Sequence, residues 1–444
     1  QANISYCNVT KLLVSFVFIG CFNSEKRSNR VSTNISKTKS SRVNIAKDWS
    51  IGFNEPFIQQ YLEGKSVSCE FCPDVVNDRS YSMIQSRLFD LATHQHVGTF
   101  REVIPLSLLA PHFADHINSD STYYDLMTDI VEIYANYNLY LIIAPGRPLP
   151  GWMLYLGKEE PDPISEWLVM PQTEPRWSEL KNRITWSFVN FIKHLKESGR
   201  ISNDWIKTHL FIEGFNEFDD LSDKNDEKIL GNPKRAADLQ NGIKFALNHH
   251  KIFPAGTLMP SYVFTFKGYE EMCKSNGDSD FCNIDDPVNK IVQTGVRYFK
   301  EYYTTYGGTG LPNIHLYSDK NTASAQLGYF EYTLKEIVKS VPGITDKVVV
   351  SEVGTPEKMV ALGCNHGLPK VERDSLYYDI ASSKTFLDYA YMTVFWRLMN
   401  LNYRTEGLDG DKTCQHFYGV VNHNDSSYNE VGLNLFNYLK NMNY

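Results

Sequence analysis

The chain has 444 residues, of which 42% are hydrophobic and 22% charged, and this is the composition of a soluble globular protein rather than a disordered or membrane-embedded one. The formal net charge of −8 gives an overall field that opposes polyanions, so no nucleic-acid partner is predicted. The length could hold two or three domains, but a single α/β barrel commonly occupies roughly 250 residues or more, so one domain is equally compatible.

The beginning of the chain predicts export. Lys11 precedes an apolar run at 12–22, which is too short to span a bilayer but has the length of the hydrophobic region of a secretion signal. We therefore predict a signal-like leader at 1–22, a polar tether at 23–47 and a secreted, periplasmic or cell-surface protein. The run ends at Cys21 in a sequence that loosely resembles a bacterial lipobox. A membrane tether through this segment, a plain signal and an uncleaved apolar stub all stay open.

From residue 48 onward, short apolar strands alternate with longer amphipathic segments, which is the sequence form of repeated βα units. The predicted strands are 50–54, 99–106, 139–145, 209–215, 251–258, 313–317, 347–351 and 391–399. The predicted helices are 82–92, 123–137, 177–198, 234–249, 288–303, 326–340, 375–386 and 429–442. Eight such units predict a single α/β domain over 48–444, a (β/α)8 TIM barrel. Its long loops after strands are predicted at 149–175, 219–233 and 262–287.

The cysteines are compatible with export, because disulfide bonds form in exported proteins and two pairs of cysteines flank or link loops and could form such bonds. Cys273 and Cys282 flank a polar loop. Cys364 and Cys414 follow the seventh and eighth predicted strands. The sequence leaves the pairing open.

The segment 55–81 has no clear period, and we predict a small hairpin or lid there, beside the first strand. It contains Cys69 and Cys72, which have the spacing of half a zinc site. No second Cys or His pair lies nearby in the sequence, so we predict neither a metal nor an organic cofactor.

Two of the predicted strands run into a glutamate. The fourth is followed by Asn216-Glu217, and the seventh by Glu352. A carboxylate at the end of a buried strand loses hydration and is usually kept there for a partner or for chemistry. Two of them held close together supply what glycoside hydrolysis requires, a protonated acid and an ionised group that attacks or activates water. A solvated loop residue or half of an ion pair is the alternative for each.

The order of these motifs resembles the clan A glycoside hydrolases. These are retaining enzymes on a (β/α)8 barrel, whose acid/base follows an Asn after strand four and whose nucleophile follows strand seven. The resemblance covers 48–444 and implies that Glu217 is the general acid/base and Glu352 the nucleophile.

Within the clan, the chain is most similar to glycoside hydrolase family 39, which includes β-xylosidases, α-L-iduronidases and bacterial exopolysaccharide hydrolases. The likeness rests on Pro150-Gly151-Trp152 after strand three and on Glu-Gly-Phe-Asn-Glu-Phe-Asp at 213–219. The sequence departs from the clan at Phe218, where the usual residue is Pro, and at Phe215, where Trp is frequent. The chemistry is therefore better supported than the subfamily.

Two residues near the pair fit substrate binding or support of the nucleophile. Arg101 on strand two could keep Glu352 ionised, and an ion pair with Glu102 at the barrel rim is an equal alternative. Asn216 could bond a sugar 2-hydroxyl, a contact that strengthens in the transition state, or it could simply form a turn.

Four further residues are predicted on the same rim. His315 and Tyr317 end strand six and, by alternation, point to one side, from which Tyr317 could donate to the nucleophile. Trp152 and Trp396 could stack on sugar rings, although a lone Trp is more often part of a core. For the His-x-Tyr pair, too, an ordinary core role is the alternative.

Taken together, these observations predict a retaining glycoside hydrolase that cleaves O-glycosidic bonds in an oligosaccharide or polysaccharide by double displacement. A catalytically weak or inactive carbohydrate-binding barrel is the alternative. The presence of both Glu217 and Glu352 argues against it.

Overall fold

A computed structural model of the chain describes residues 50–65, 80–111, 122–147, 149–154, 174–218, 233–264, 287–318, 320–341, 347–358, 364, 367–398, 418–420 and 427–441. The predicted leader at 1–22 and tether at 23–47 lie outside the described residues. So do five cysteines named above, Cys69, Cys72, Cys273, Cys282 and Cys414. Among the helices that the structure describes, none is long and apolar enough to cross a membrane.

Parallel strands form one sheet. They are β1 (Ser50–Asn54), β2 (Thr99–Pro105), β3 (Tyr140–Gly146), β4 (Leu210–Glu213), β5 (Gly256–Leu258), β6 (Tyr262–Phe264), β7 (Asn313–Leu316), β8 (Val348–Val353) and β9 (Ala390–Trp396). Their order in the sheet is β5-β4-β3-β2-β1-β9-β8-β7-β6. The strands are largely buried on both faces, as in β8, where all six residues are buried.

The sheet closes on itself where Leu258 of β5 forms a parallel bridge with Leu311, just before β7. β5 pairs with β4, β6 pairs with β7, and only Met259, Pro260 and Ser261 separate β5 from β6. Leu311, just before β7, donates to the carbonyl of Thr257 at 2.8 Å and accepts from the N–H of Met259 at 3.0 Å. The segment 256–264 thus acts as one interrupted strand, and the barrel has eight strand positions. The predicted (β/α)8 fold is confirmed.

Helices cover the outside of the barrel and mostly follow the strands. They are α1 (Phe57–Gly64), α2 (Tyr81–Thr93), α3 (Leu106–Leu109), α4 (Thr122–Asn136), α5 (Gly151–Leu154), α6 (Glu174–Glu197), α7 (Asn203–His209), α8 (Pro233–His249), α9 (Pro287–Lys300), α10 (Ala323–Ser340), α11 (Lys370–Ser382), α12 (Lys384–Tyr389) and α13 (Glu430–Asn441). A π-helical turn, Glu301–Thr305, extends α9. In α6, Leu180, Ile184, Phe188 and Ile192 recur every four residues and are fully buried.

Several short elements were not predicted, namely β6, α1 and α7, and also α3 and α5. β6 falls in the segment 262–287 that we predicted as a loop, because three residues are too few to show a period. The hairpin or lid predicted for 55–81 is wrong at 57–64, where α1 buries Ile58, Tyr61 and Leu62 at helical spacing. α7 occupies the residues just before β4, and Ser202 caps it by accepting from the N–H of Trp205 at 3.1 Å.

Most predicted boundaries shift by a few residues, and two elements change more. The strand predicted at 251–258 is reduced to β5, because Lys251 has a left-handed φ of 54° and Pro254 has no N–H for the ladder. The helix predicted at 375–386 is two helices, α11 and α12. Ser383 separates them with extended backbone and accepts from the N–H groups of Thr385 and Phe386.

Candidate active site

The carboxyl ends of the strands bring polar side chains to one rim of the barrel. Asn54 at the end of β1 is in register with Arg101 on β2 and with Trp396 on β9. His315 on β7 is in register with Glu352 on β8. All except Trp396 are buried. In a (β/α)8 barrel this is the end at which active sites are built.

Glu217 lies in the turn after β4, and the backbone fixes it from two sides. Its N–H donates to Oγ of Ser261 at 2.7 Å, and the N–H of the preceding Asn216 donates to the carbonyl of Pro145 on β3 at 2.9 Å. Glu217 has a φ of 46°, in the left-handed region that costs a residue with a Cβ about 1–2 kcal/mol. Such strain persists only where neighbours impose it, and it is common at functional sites.

Glu217 and Glu352 lie close together with a histidine between them. One oxygen of each carboxyl group and a ring nitrogen of His315 all fall within 4.8 Å of one another. His315 Nδ1 is 3.0 Å from Oε1 of Glu217 and 3.4 Å from Oε2 of Glu352. Retaining glycosidases place their carboxyl groups about 5–5.5 Å apart, and inverting ones about 6.5–9.5 Å. The nearest oxygens of this pair, within 4.8 Å of each other, are closer than either range.

Hydrogen-bond donors surround the Glu352 carboxylate. Its Oε1 accepts from Nη1 of Arg101 at 2.5 Å and from Nδ2 of Asn54 at 2.8 Å. Its Oε2 accepts from the hydroxyl of Tyr317 at 2.5 Å. Donors of this kind, one of them cationic, stabilise the ionised form of a carboxyl group.

Arg101 also contacts residues on and after β4. Its Nε and Nη2 donate to the two oxygens of Glu213 at 2.7 and 2.8 Å, and Nη2 donates to Oδ1 of Asn216 at 2.7 Å. The alternative ion pair with Glu102 is wrong. Alternation along β2 sends Glu102 to the opposite face, where it accepts from the hydroxyl of Tyr134 at 2.6 Å.

Burial raises the pKa of both carboxyl groups of the pair, although the cationic Arg101 opposes this rise at each of them. Two such groups side by side disfavour the state in which both are ionised. Glu352 has Asn54, Arg101 and Tyr317 to stabilise an anion. Burial also raises the pKa of Tyr317 far above its ordinary value, so this side chain stays a protonated donor. The contacts therefore favour a charged Glu352 and a protonated Glu217.

The second ring nitrogen of His315 fixes its tautomer. Nε2 lies 3.0 Å from Oγ of Ser351, which can donate, whereas Nδ1 faces the two carboxyl groups, which accept. We assign the proton of the neutral ring to Nδ1. In this arrangement His315 donates toward Glu217 and Glu352.

The two predicted tryptophans lie in different settings. Trp396 is half-buried at the end of β9, in the same register layer as Asn54. Trp152 packs against the helical layer, donates from its ring N–H to the carbonyl of Ala110 at 2.8 Å and has the guanidinium of Arg183 over its ring. These contacts explain Trp152 without substrate. Sugar stacking by either tryptophan stays a prediction, as do the roles assigned to the other site residues.

The sequence reasoning missed four residues of this network, Asn54, Glu213, Ser261 and Ser351. A signal was present for two of them, because Asn54 is a polar strand end and Glu213 is a charged residue in an otherwise apolar strand. Ser261 and Ser351 carry no such signal. Their roles depend on which loop or ring nitrogen lies opposite, which only the fold decides.

Glu217, His315 and Glu352 are close enough to share a metal ion. The remaining contacts do not fit one. Oε2 is the Glu352 oxygen on the side of His315, and it already accepts from the hydroxyl of Tyr317, while Arg101, a permanent cation, lies 2.5 Å from Oε1 of the same carboxyl group. A divalent cation would be repelled by the guanidinium and would have to displace the Tyr317 donor.

No protein-family model matches the sequence, and no curated protein matches it. Solved structures do match its fold. The beta-glycosidase BGL167 is 12% identical, with a TM-score of 0.53 over 89% of this chain and 96% of that one. The fold is a (β/α)8 barrel of the kind found in glycosidases.

Two further solved structures have a similar fold. The exo-beta-1,4-mannosidase Op5Man5 from Opitutaceae bacterium strain TAV5 is 13% identical, with a TM-score of 0.55 over 88% of this chain. This chain spans only 59% of the length of that mannosidase. The catalytic domain of CelCCA is 12% identical, with a TM-score of 0.51 over 88% of this chain and 91% of that one. At such low identity the likeness establishes the fold and leaves activity to the site itself.

Proposed function

We propose that this protein is a retaining glycoside hydrolase that cleaves O-glycosidic bonds in an oligosaccharide or polysaccharide. The observation that carries the proposal is the pair Glu217 and Glu352. Their oxygens lie within 4.8 Å of each other at the ends of β4 and β8, the fourth and seventh strand positions of the barrel. Their position on the barrel matches the clan A pattern that the sequence resembles, and two of the solved structures with this fold are named as glycosidases.

The reaction proceeds in two displacements. In the first, an oxygen of Glu352 attacks the anomeric carbon while Glu217 donates its proton to the leaving glycosidic oxygen, and a covalent glycosyl-enzyme ester forms. In the second, Glu217, now ionised, removes a proton from water as that water attacks the anomeric carbon. Glu352 leaves as a carboxylate, and both groups return to their starting protonation states.

The residues around Glu217 and Glu352 support different roles for the two carboxyl groups. Arg101 and Tyr317 stabilise Glu352 as an anion when it attacks and when it leaves. The Nδ1–H of His315 faces both groups, so it can donate to Glu217 once that residue has lost its proton. Asn216, whose oxygen accepts from Arg101, retains its amide N–H groups for a sugar hydroxyl. Trp396 is proposed as a stacking surface.

The finer assignments are proposals as well. Within clan A we propose a likeness to family 39, supported by Pro150-Gly151-Trp152 and by the motif at 213–219. We propose export, and a tether through the N-terminal segment, on the composition of 1–47. A disulfide between Cys364 and Cys414 is proposed because Cys364 is disulfide-bonded and because the two cysteines follow neighbouring strands of the predicted barrel. Peptide mapping without reduction tests this last assignment.

A panel of aryl glycosides and polysaccharides tests the activity, with wild type and Glu352→Gln compared in parallel. The proposal expects hydrolysis by wild type only. ¹H NMR of the first product formed should show the anomeric configuration of the substrate. An inverted first product, or equal turnover by Glu352→Gln, would overturn the proposal. Specific binding of a polysaccharide without any hydrolysis would instead favour the carbohydrate-binding alternative.

A further inference from the structure

Asn54 is an uncharged side chain of the sheet that donates to the carboxylate of Glu352. It ends β1, its side chain is almost fully buried, and its Nδ2 lies 2.8 Å from Oε1 of Glu352. An ionised carboxylate only accepts, so the atom facing it must be the amide nitrogen and not the amide oxygen. A buried amide of this kind is costly unless it is bonded, and here its partner is the nucleophile.

The backbone around Asn54 is fixed on both sides. Its carbonyl accepts from the N–H of Leu398 at 3.3 Å, and the N–H of the next residue, Glu55, donates to the carbonyl of Arg101 at 3.2 Å. Glu55 is fully buried, accepts from Nε2 of Gln60 at 2.5 Å and lies 3.7 Å from the guanidinium of Arg397. The amide of Asn54 is therefore presented from a rigid position rather than from a loop.

The two oxygens of Glu352 face different surroundings. Oε1 is held by Arg101 and Asn54, both of which are buried strand residues. Oε2 accepts from the hydroxyl of Tyr317 and is the oxygen near His315, whose Nδ1 also contacts Glu217. Because the scissile bond must lie between the two carboxyl groups, Oε2 is on the substrate side and Oε1 is on the protein side.

We propose that Asn54 is a positioning residue for the nucleophile, which it anchors through Oε1 so that Glu352 attacks with Oε2. The inference rests on the proposed glycosidase function. In the attack, a bond forms between Oε2 and the anomeric carbon as the bond to the leaving oxygen breaks, and that oxygen takes its proton from Glu217. The negative charge of Glu352 is lost on attack and regenerated when the ester is hydrolysed. Asn54 stabilises that charge without adding a cation.

The variants are Asn54→Leu, which removes the donor at similar volume, and Asn54→Asp, which keeps the shape and replaces the donor with a second carboxyl group. Asn313→Leu is the matched control. Asn313 is equally buried, but it begins β7 at the opposite rim, where it donates to the carbonyl of Met259. Its loss leaves the contacts of Glu352 unchanged.

Steady-state kinetics over pH on an accepted glycoside gives the first readout. Asn54→Leu should lower kcat/KM about 10- to 100-fold, the loss expected for a hydrogen bond to a charged group, and Asn313→Leu should change it less than twofold. The acidic limb of the profile should move to higher pH in Asn54→Leu and further in Asn54→Asp, because the anion of Glu352 is less stabilised or is repelled. Among the residues that the structure describes, the other polar groups facing Glu352 are Arg101, His315, Tyr317 and Glu217. All four are retained in these variants.

A ¹³C-carboxyl NMR titration gives a second readout that needs no substrate, with the Glu352 signal assigned by its loss in Glu352→Gln. The Glu352 pKa should rise in Asn54→Leu relative to wild type and to Asn313→Leu. An unchanged Glu352 pKa together with an unmoved acidic limb would overturn the role of Asn54, even if activity falls. If wild type hydrolyses nothing in the panel, the proposed function fails, and the titration still decides whether Asn54 stabilises the carboxylate.

Discussion

Nη1 of Arg101 lies 2.5 Å from Oε1 of Glu352, although 251 positions separate the two residues in sequence. The contact exists because β2 and β8 belong to one closed barrel, and it is fully buried at Arg101. The same guanidinium makes a two-point contact with Glu213. One planar cation thus links a structural carboxylate to the nucleophile that we propose.

Replacing Arg101 by Lys should distinguish the effect of the positive charge from that of the planar guanidinium geometry. Lysine keeps the positive charge but cannot reach Glu213 and Glu352 with fixed, coplanar donors. We expect kcat to fall by more than tenfold. Arg101→Met should in addition lose about 3–5 kcal/mol of unfolding free energy, because two buried carboxylates lose their partner. Activity assays and urea unfolding measure the two effects, and wild-type kcat in Arg101→Lys would argue against the role of the guanidinium.

The loss of activity in Glu217→Ala should be larger for substrates whose leaving group is more basic, because such a group must be protonated to leave. Substrates with good leaving groups, such as dinitrophenyl glycosides, should form the covalent intermediate at nearly normal rates, and azide should then restore turnover by attacking it. Glu197→Ala, on the exposed surface of α6, is the control. Equal losses on all leaving groups, or no response to azide, would show that Glu217 is not the acid/base.

Glu102 predicts a pH dependence of stability. It is fully buried beneath α1, and burial raises its pKa well above the ordinary value of 4.5. At pH values between 4.5 and the raised pKa, the folded state binds more protons than the unfolded state. The contribution of Glu102 to the free energy of unfolding is therefore fully present below pH 4.5 and is lost as pH rises through the pKa of the folded state. Urea unfolding at several pH values measures this. The decline should be smaller in Glu102→Gln, and an identical decline in both proteins would contradict the assignment.

The sequence predicts the barrel well because its signals are local. Apolar strands and helical stripes such as that of α6 can be read from residue type alone, and the motif at Glu217 places a carboxyl group at a strand end. The partners of those residues depend on long-range geometry. Strand register and barrel closure decide whether Arg101 contacts Glu102 or Glu352. They also bring Asn54 to the carboxylate of Glu352. Elements of three or four residues, such as β6, also lack a readable period.

Gly52 lies where β1 and β2 leave no space for a side chain. A Cβ on Gly52 would lie 1.9 Å from the backbone carbonyl oxygen of Thr99 on the neighbouring strand, so Gly52→Ala forces β1 and β2 apart. We expect a loss of about 1–3 kcal/mol or more of unfolding free energy. Gly328→Ala in α10 is the matched control, because a Cβ there meets no atom within 4 Å. It should stabilise the helix by up to about 1 kcal/mol. Equal denaturation midpoints for the two variants would refute this packing argument.

The most direct test of the account is covalent trapping of the nucleophile. A 2-deoxy-2-fluoro glycoside of an accepted sugar, with a good leaving group, slows hydrolysis of the glycosyl-enzyme so that the intermediate accumulates. Peptide mass spectrometry should then find one sugar attached to Glu352, and excess unlabelled substrate should protect that residue. A label on any other residue, or rapid turnover of unmodified substrate by Glu352→Gln, would contradict the double displacement that we propose.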